Sequence, residues 1–253
     1  MKLYQSAIYW PTSLVAPFSW AGHLHFAHWL VARTKPANII ELGTHTGNSF
    51  FAFCDAVKQS NLDCTCTAVD TWKGDAHANF YDESVFEGIK SKVTKFGLLD
   101  IAVLKRMTFD KALSETPDAS VDVLHIDGFH TYEAVKHDFM TWRPKMRNGG
   151  IVLLHDTTIK REGFGVEQFW GELLAQGYDG FNFPHSCGLG VLVIQNEDAP
   201  LITLREKLGL SVEEYTDLPQ LFLALADRVT ARIQAVQLKQ QSNKNTNNSA
   251  GSS

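Results

Sequence analysis

The chain has 253 residues, the length of one large domain or of one domain with small additions, and not of two equal domains. Hydrophobic residues make up 44% and charged residues 20% of the sequence, so the chain can bury a core and is neither fibrous nor wholly disordered. Because 23 Lys and Arg stand against 28 Asp and Glu, the net charge is −5, which argues against nucleic acid as a partner.

Membrane and secretion signals are not evident in the sequence. No run approaches the roughly 18 consecutive apolar residues of a transmembrane helix, and residues 1–17 lack the compact apolar stretch of a signal peptide. The cysteines are predicted to be reduced thiols in the core: Cys54, Cys64, Cys66 and Cys187. We therefore expect a cytoplasmic protein.

The chain divides into four predicted regions. Residues 1–35 are expected to form an N-terminal helical appendage, with a helix over 20–32, and residues 36–196 the core of the protein. Residues 197–238 are helical and amphipathic in places. Residues 239–253 are almost entirely Gln, Ser, Asn, Lys and Gly, and we expect a disordered tail or a linker to a further domain.

The first half of the core alternates short apolar runs with helical periodicities, which is typical of an α/β fold with a parallel sheet. Strands are predicted over residues 38–42, 64–69 and 101–104. Apolar residues at helical spacing after the first strand and over 85–96 predict the connecting helices.

The second half of the core continues this pattern and then changes it. Strands are predicted over 121–126 and 151–154, with an amphipathic helix over 132–142 between them and another over 166–174 after them. The last two strands, 180–183 and 190–194, are joined by a loop too short for a helix and should be antiparallel neighbours. The sequence thus predicts an α/β protein with a seven-strand sheet, mostly parallel, with a terminal antiparallel hairpin and flanking helices.

The loop after the first strand is the first candidate binding site. Gly43 and Gly47 lie between a strand and a helix N-terminus, where the backbone can approach a ligand closely. Their spacing matches neither the G-x-G-x-x-G of dinucleotide sites nor a P-loop. Asp70, at the end of the second strand, stands where a carboxylate holds ribose in doubly wound folds. Together these residues favour adenosine without phosphates, the alternative being a tight turn beside a solvated aspartate; Ser49 either caps the helix or turns its amide to the ligand.

Two carboxylates at neighbouring strand ends form the second candidate site. Asp127 follows the fourth strand and Asp156 the fifth, so both lie at the carboxyl edge of the sheet. Close carboxylates repel unless a proton or cation lies between them, and hard divalent cations prefer such oxygen ligands. The sequence predicts a metal site here, with hydrogen-bonded structural carboxylates as the alternative. His130 can reach the same pocket and accept a proton from an alcohol, or it can cap the next helix beside Thr131.

Several segments resemble a known family. Glu41-Leu-Gly-x-x-x-Gly-x-Ser, Val69-Asp-Thr-Trp and the terminal hairpin are similar to the class I S-adenosylmethionine-dependent methyltransferases, which have a Rossmann-like seven-strand sheet. Asp70-Thr-Trp-Lys-Gly-Asp-x-His, His125-Ile-Asp-Gly-x-His-Thr-Tyr and Leu154-His-Asp-Thr resemble, more narrowly, a bacterial small-molecule and glycan O-methyltransferase group. This group is related to metal-dependent antibiotic-pathway O-methyltransferases and is sometimes fused to glycosyltransferases. The resemblance spans residues 39–194.

The resemblance implies a cofactor site for S-adenosylmethionine. Glu41 and Gly43 would line the amino-acid end of the cofactor, Asp70 would hold the ribose, and the residues around Thr108 would flank adenine. The full implied set is Glu41, Gly43, Thr44, Gly47, Ser49, Asp70, Thr71, Trp72, Thr108, Phe109 and Asp127.

The resemblance also implies a divalent metal, Mg²⁺ or Mn²⁺, and a catalytic pair. Asp127 and Asp156 would bind the metal, with His155 as third ligand at a position where the antibiotic-pathway relatives carry an acidic residue. Catechol-type relatives use the next position instead, here Thr157. An imidazole ligand shifts the preference towards Mn²⁺, Fe²⁺ or Zn²⁺. His130 matches a histidine proposed as general base and would act with Asp127.

The predicted reaction is metal-assisted O-methylation of a sugar, glycan or natural-product hydroxyl. One alternative is a non-haem iron hydroxylase-like enzyme, because His125-Ile-Asp127 resembles one arm of a facial triad; otherwise His125 should bond a backbone group. The other is a non-catalytic cofactor-binding module of a larger glycan-synthesis protein. The expected partners are the acceptor, a second copy of the chain and a fused or separate glycosyltransferase, and no nucleic acid.

Two further groups of residues are predicted near the pocket or at a surface. The loop after the second strand is expected to reach the pocket rim with Trp72, Lys73, Asp75, His77 and Tyr81, although Trp72 could equally belong to the core. The N-terminal aromatic residues could support self-association or close over the pocket: Tyr4, Tyr9, Trp10 and Trp20.

Overall fold

The structure, a computed structural model, describes residues 9–75, 79–196 and 198–250, and their side chains except those of residues 75, 79 and 240–250. Tyr4 and His77, which the sequence singles out, lie outside the described residues, as does the side chain of Asp75. None of the helices in the described part is long and apolar enough to cross a membrane.

A central seven-stranded sheet organises the fold. The described strands are β1 (Asn38–Leu42), β2 (Thr65–Asp70), β3 (Gly74–Asp75), β4 (Asn79–Phe80), β5 (Ala102–Arg106), β6 (Val121–Ile126), β7 (Met146–His155), β8 (Gly180–Phe183) and β9 (Leu189–Val193). The strand order is β5-β2-β1-β6-β7-β9-β8, and β3 pairs with β4 in a separate two-stranded sheet. The first five strands of the large sheet are parallel, whereas β9 runs antiparallel to both β7 and β8. This confirms the predicted α/β fold with its terminal hairpin.

The strand order reverses direction between β1 and β6. From β1 the chain continues outward to β2 and β5, and from β6 it continues to the other side through β7. Loops that leave the carboxyl ends of β1 and β6 therefore diverge and open a crevice, which is where open α/β sheets bind their ligands.

Helices cover both faces of the sheet. The described helices are α1 (Leu24–Thr34), α2 (Asn48–Gln59), α3 (Glu83–Lys95), α4 (Phe109–Ser114), α5 (Tyr132–Trp142), α6 (Val166–Ala175), α7 (Leu204–Lys207) and α8 (Val212–Ala250). Helix α4 was not predicted because it has only six residues; Thr108 caps it by accepting a hydrogen bond from the Lys111 N–H.

Strand β7 begins five residues earlier than predicted. The Gly149-Gly150 pair precedes the predicted strand but lies inside the observed one. Met146 pairs with Val121, and the register then shifts so that Ile151 pairs with Val123. A bulge of this kind admits glycines that sequence patterns assign to turns.

Helix α1, in the region that the sequence predicts as an appendage, packs into the core. All residues from Leu24 to Ala32 are buried, and α1 packs against α2 and α8. Phe26 and Trp29 contact Phe222 of α8, with ring centroids 5.3 and 5.6 Å apart. The helix is buried all round because it lies between the sheet and a second helix.

Residues 9–20, which we call the N-terminal strap, cross over α2 before α1 begins. Tyr9 donates a hydrogen bond to Asp55, and Asn48 bonds the backbone of Val15. Tyr9 and Trp20 are both buried, so neither forms the free aromatic surface expected for self-association.

Helix α8 extends through most of the tail that composition predicts to be disordered. It continues to Ala250, and residues 251–253 lie outside the described part. Gln, Lys and Ala are good helix formers, so a polar composition alone does not stop a helix that is already nucleated.

Candidate active site

A cavity of about 640 Å³ opens at the carboxyl edge of the sheet, where the strand order reverses. Both predicted sites contribute to its wall. The predicted cofactor residues that line it are Gly43, Thr44, Asp70, Thr71, Thr108, Phe109 and Asp127. The predicted catalytic and metal-binding side chains that line it are His130, His155 and Asp156. The two sites proposed from separate sequence motifs thus share one cavity.

The loop after β1 approaches the end of β6 so closely that only glycine fits at its start. Gly43 has a φ of +89°, and a Cβ added there would overlap the carbonyl oxygen of Asp127. The Asp127 N–H in turn donates to the carbonyl of Leu42 at 2.8 Å. Glycine is required because both the left-handed backbone and the backbone contact exclude a side chain.

Asp70 ties the loop after β1 to the loop after β2. Its Oδ2 accepts the N–H groups of Thr44 and His45, each at 2.9 Å, and its Oδ1 accepts the Trp72 N–H at 2.7 Å. The carboxylate lies in the cavity wall, as expected for a ribose-binding residue, and it also fixes the loop. Beside it the hydroxyl of Thr44 is buried, lines the cavity and has no hydrogen-bond partner among the described residues.

Four of the predicted cofactor residues do not line the cavity: Glu41, Gly47, Ser49 and Trp72. Gly47 forms the N-cap of α2 with φ +85°, and Ser49 is buried within that helix. Trp72 is core, since its ring is buried and its Nε1 donates to the His45 carbonyl at 3.1 Å. Tyr81, by contrast, reaches the rim as predicted and stacks on His45, with centroids 4.4 Å apart.

Glu41 and His125 form a buried pair that sequence reasoning missed. His125 Nδ1 lies 2.8 Å from Glu41 Oε2, and both side chains are fully buried. Trp20 donates its indole N–H to the other ring nitrogen of His125 at 3.1 Å. His125 therefore bonds side chains and not a backbone group, and both of its nitrogens are occupied. It is not available to bind iron beside Asp127, which removes the sequence argument for a facial triad.

Four titratable side chains meet at the ends of β6 and β7. His130 Nε2 lies 2.8 Å from Asp156 Oδ2 and 3.8 Å from Asp127 Oδ1. His155 Nδ1 lies 3.3 Å from Asp127 Oδ1 and 3.4 Å from Asp156 Oδ2. We call Asp127, His130, His155 and Asp156 the acidic cluster. Ligand atoms of Asp127, His130 and Asp156 all lie within 4.8 Å of one another, close enough to share a metal ion.

The backbone holds Asp156 and His155 in a defined orientation. Asp156 has φ +63°, and its N–H donates to the Gly188 carbonyl in the loop between β8 and β9. His155 Nε2 lies 3.0 Å from the carbonyl oxygen of Ser186. Since a carbonyl only accepts, Nε2 carries a proton, and Nδ1 faces the two carboxylates, where its lone pair can bind a metal once its own proton has left. Metal-ligating histidines are commonly oriented in this way.

Thr157, the alternative third ligand, points elsewhere. Its side chain is buried and donates to the Asn182 side-chain oxygen at 2.6 Å. Of the two candidates at this position of the sequence, the structure places His155 and not Thr157 against the carboxylates.

His130 faces the cavity and does not cap the next helix. Thr131 is the N-cap of α5 and accepts the Ala134 N–H. The ring of His130 stacks on Phe164 with centroids 4.8 Å apart and planes 8° from parallel. Its carbonyl accepts the Gly165 N–H at 2.8 Å, which holds the loop after β7 against the histidine.

The acidic cluster is charged on all four side chains at neutral pH in the absence of a metal. Burial lowers the pKa of His130, but hydrogen bonds to Asp127 and Asp156 outweigh it and raise that pKa to about 9. Burial also lowers the pKa of His155, but the negative charge of Asp127 outweighs this effect and holds that pKa well above its usual value. Burial raises the pKa values of Asp127 and Asp156, but the histidines hold both below the usual range. Two imidazolium groups thus balance two carboxylates.

The donor set fits a divalent cation. Ligand atoms of Asp127, His130 and Asp156 lie within 4.8 Å of one another, and His155 Nδ1 lies within 3.4 Å of both carboxylates. The two imidazolium groups carry two positive charges, the same charge as one divalent ion. Mixed imidazole and carboxylate donors suit Mn²⁺, Fe²⁺ or Zn²⁺ better than Mg²⁺.

Asp138 of α5 is buried near Gly128 of the cavity wall, and its carboxyl group is expected to make the stability of the protein depend on pH. Burial raises its pKa to about 7. Because this folded-state value lies above that of the unfolded chain, stability falls as the pH rises from about 4 to 7. We expect Asp138→Asn to raise the free energy of unfolding at pH 8 by on the order of 2 kcal/mol and to have little effect at pH 4. Urea denaturation at both pH values measures this.

The exposed Asp100 provides the control for this substitution. Asp100→Asn should leave the free energy of unfolding nearly unchanged at either pH. An Asp138→Asn protein that is equally destabilised at pH 4 and pH 8 would show that the carboxylate is needed as a hydrogen-bond acceptor and not merely tolerated.

Comparison with known proteins identifies the family to which this geometry belongs. Residues 40–157, which run from β1 through the acidic cluster, match the family described as methyltransferase domain. Residues 40–157 thus match a methyltransferase domain, and the sheet around them has the Rossmann-like fold of class I methyltransferases. An uncharacterized protein of Sinorhizobium fredii is 43% identical over 204 residues, which are 78% of this chain but 22% of that protein. The chain therefore spans about a fifth of the length of this curated relative.

Solved structures of methyltransferases share the fold. The O-methyltransferase TomG of Streptomyces achromogenes, involved in tomaymycin synthesis and solved with S-adenosylmethionine, has a TM-score of 0.53 at 16% identity and covers 77% of this chain and 86% of its own. An O-methyltransferase of Bacillus cereus, solved with S-adenosylhomocysteine, has a TM-score of 0.51 at 16% identity, with 72% and 84% covered. At these identities the similarity establishes the Rossmann-like fold.

Proposed function

We propose that this methyltransferase transfers the methyl group of S-adenosylmethionine to a hydroxyl of a small-molecule acceptor, a sugar, glycan or natural product, with a divalent cation assisting. One observation carries the proposal: the glycine loop after β1 and the acidic cluster line the same cavity. A protein that only bound an adenosine-like ligand would have no use for Asp127, His130 and Asp156 in the same cavity.

The half of the cavity beside β1, β2 and β5 is the proposed cofactor site. S-adenosylmethionine supplies an electrophilic methyl group when it is bound. Gly43 permits close approach of the backbone, Asp70 stands in the wall for the ribose, and Phe109 offers an aromatic edge for adenine. The buried hydroxyl of Thr44, unpartnered among the described residues, supplies a polar group for which a ligand is the natural partner.

The half beside β6 and β7 is the proposed reaction centre. Asp127, Asp156 and His155 would hold the cation, which when bound lowers the pKa of a nearby hydroxyl and makes it a better nucleophile. His155 is assigned as the ligand because its Nδ1 is buried and oriented by Ser186. His130 is assigned as the proton acceptor at Nε2, because it faces the open cavity and stacks on Phe164. With the carboxylates neutralised, His130 loses the charges that hold its proton and becomes able to accept one.

The proposal is tested by binding and by turnover. Isothermal titration should show one S-adenosylhomocysteine and one Mn²⁺ bound per chain. Release of S-adenosylhomocysteine from S-adenosylmethionine, screened over sugar nucleotides and glycans, should require a divalent metal and stop with EDTA. Failure of the chain to bind S-adenosylhomocysteine would contradict the proposal. Full turnover in EDTA would show that the reaction does not need a divalent metal.

A second candidate is a cofactor-binding module without chemistry of its own. The observation that favours it is the relative of which this chain spans 22%, since such a protein has room for further domains. A chain that binds S-adenosylhomocysteine but no divalent metal, and that yields no product with any acceptor, would support this candidate.

Removing the hydroxyl of Thr44 is predicted to raise the stability of the ligand-free protein and to lower its affinity for the cofactor. Thr44→Val keeps the shape of the side chain and removes a buried hydroxyl that lacks a partner in the ligand-free protein. We expect the free energy of unfolding to rise by about 1 kcal/mol without ligand. We also expect affinity for S-adenosylhomocysteine to fall by about fivefold, the value of one lost hydrogen bond. Urea unfolding and isothermal titration measure the two effects.

Thr67→Val, in the buried part of β2 outside the cavity, is the matched control. It should leave the affinity for S-adenosylhomocysteine unchanged. Thr44→Val protein with unaltered cofactor affinity would show that the cofactor does not use this hydroxyl.

A further inference from the structure

The loop between β7 and α6 places a single arginine at the rim of the cavity. Arg161 lines the cavity, and among the described residues no lysine and no other arginine does so. The same loop contributes Ile159 and Phe164 to the cavity wall. Neither the proposed cofactor site nor the acidic cluster uses this cation.

Arg161 has no acidic partner among the described residues. No carboxylate lies within 4.0 Å of its guanidinium, the limit for an ion pair. The adjacent Lys160, in contrast, is 3.2 Å from Glu167, and Arg106 binds Glu83 at 2.7 Å. A guanidinium at a cavity mouth without a counter-charge is available for a ligand.

The position of Arg161 is fixed by a stack of rings that ends at the reaction centre. Its guanidinium carbon lies 4.1 Å from the centroid of the Phe164 ring, and Phe164 stacks on His130. The Gly165 N–H holds this loop to the His130 carbonyl. A cation–π contact of this kind uses none of the guanidinium N–H groups as hydrogen-bond donors, and these groups can bind a phosphate or carboxylate through two hydrogen bonds.

Charge and topology both associate Arg161 with the acceptor, in the half of the cavity beside β6 and β7. Among the cavity-lining residues, the carboxylates of Asp127 and Asp156 are paired with His130 and His155, whereas the guanidinium of Arg161 has no acidic partner in the described part of the chain and attracts an anion to the rim. Arg161 follows β7, whereas the cofactor half is built at β1, β2 and β5 on the other side of β6. An acceptor with an anionic end would thus bind with that end outward and its hydroxyl towards His130.

We propose that the acceptor carries an oxyanion, a phosphate or a carboxylate, and that Arg161 binds this group while the reacting hydroxyl lies at His130. The inference rests on the proposed function and specifies its substrate class. A neutral sugar or neutral natural product is the class that it disfavours.

Three small probes with the same ring test the proposal. Phenyl phosphate, benzoate and benzyl alcohol are titrated into protein saturated with S-adenosylhomocysteine, and binding is followed by ligand-observed NMR. We expect at least one anion to bind about tenfold more tightly than benzyl alcohol. The preferred anion distinguishes a phosphate from a carboxylate acceptor. Arg161→Gln should abolish the preference, and Arg161→Lys should retain only part of it, because an ammonium does not form the paired hydrogen bonds.

Lys160→Gln is the matched control, since it removes one positive charge from the neighbouring position outside the cavity. It should preserve the anion preference. The proposal is overturned if the wild type binds all three probes equally, if Arg161→Gln keeps the preference, or if Lys160→Gln loses it. It is also overturned if Arg161→Gln abolishes binding of S-adenosylhomocysteine, which would make Arg161 a cofactor residue. If the wild type fails to bind S-adenosylhomocysteine, the proposed function itself fails.

Discussion

Asp156→Asn is expected to lower the affinity for Mn²⁺ by at least about 100-fold and to lower methyl transfer at least as much. Removing a residue that only hydrogen-bonds to a metal ligand lowers metal affinity or activity by about 10- to 100-fold. Asp156 is assigned as a direct ligand, so its loss should have at least the upper effect. Its Oδ2 lies 2.8 Å from His130 and 3.4 Å from His155, so the carboxylate is central to the cluster. Asparagine is the informative replacement because it tolerates the left-handed backbone at φ +63°, whereas alanine would add strain.

Asp110 offers a matched control for this substitution. It forms the same kind of pair, 2.8 Å from His137, but both side chains are exposed and neither lines the cavity. Asp110→Asn should leave Mn²⁺ binding and turnover unchanged. Isothermal titration with Mn²⁺ and assay of S-adenosylhomocysteine release give both readings. Undiminished Mn²⁺ binding by the Asp156→Asn protein would show that Asp156 does not bind the metal.

Gly43→Ala is expected to lower the free energy of unfolding by about 3 kcal/mol or more and to abolish measurable S-adenosylhomocysteine binding. The added Cβ would overlap the backbone carbonyl of Asp127, and neither strand end can move without disturbing the sheet. The φ of +89° adds backbone strain to this overlap, because residues other than glycine rarely adopt such an angle. The same displacement would shift Asp127, so this substitution should also weaken Mn²⁺ binding.

Gly171→Ala is the matched control for the glycine substitution. Gly171 lies inside α6, and a Cβ there meets nothing within 4 Å. It should raise the free energy of unfolding by about 0.5 to 1 kcal/mol, because alanine favours a helix. Urea unfolding compares the two variants directly. Equal stability of the Gly43→Ala and wild-type proteins would contradict the tight contact between β1 and β6.

The sequence predicts the sheet well because each strand is a short apolar run that can be recognised locally. Strands β1, β6 and β7 are neighbours in the sheet, so the residues that follow them, Gly43, Asp127 and Asp156, lie together at its carboxyl edge. Helix α5 was also predicted with its observed bounds, since its apolar residues recur at helical spacing.

The sequence could not predict contacts between residues far apart in the chain. The resemblance assigns Glu41 to the cofactor, but the pairing of its Oε2 with His125, 84 residues away, has no signal in the sequence. Pro17 and Ser19 line the cavity only because the N-terminal strap is fastened to Asn48. No pattern within a short window of sequence carries such information.

Arg161 and Phe164 were missed for a different reason. They lie in an irregular loop where hydrophobic periodicity gives no signal, and they enter the cavity because the Gly165 N–H bonds His130. The acidic cluster itself was predicted as a set. The resemblance also predicts His155 as a metal ligand and His130 as the general base, and what sequence could not supply is the contact that orients His155, from its Nε2 to the Ser186 carbonyl.

The most direct test of the account is an anomalous difference map from crystals grown with Mn²⁺ and S-adenosylhomocysteine. The account predicts one strong peak at about 2.0 to 2.3 Å from oxygens of Asp127 and Asp156 and from Nδ1 of His155, with the cofactor beside Gly43 and Asp70 in the same cavity. A map without a peak at these side chains, or with the cofactor bound outside the cavity, would contradict it.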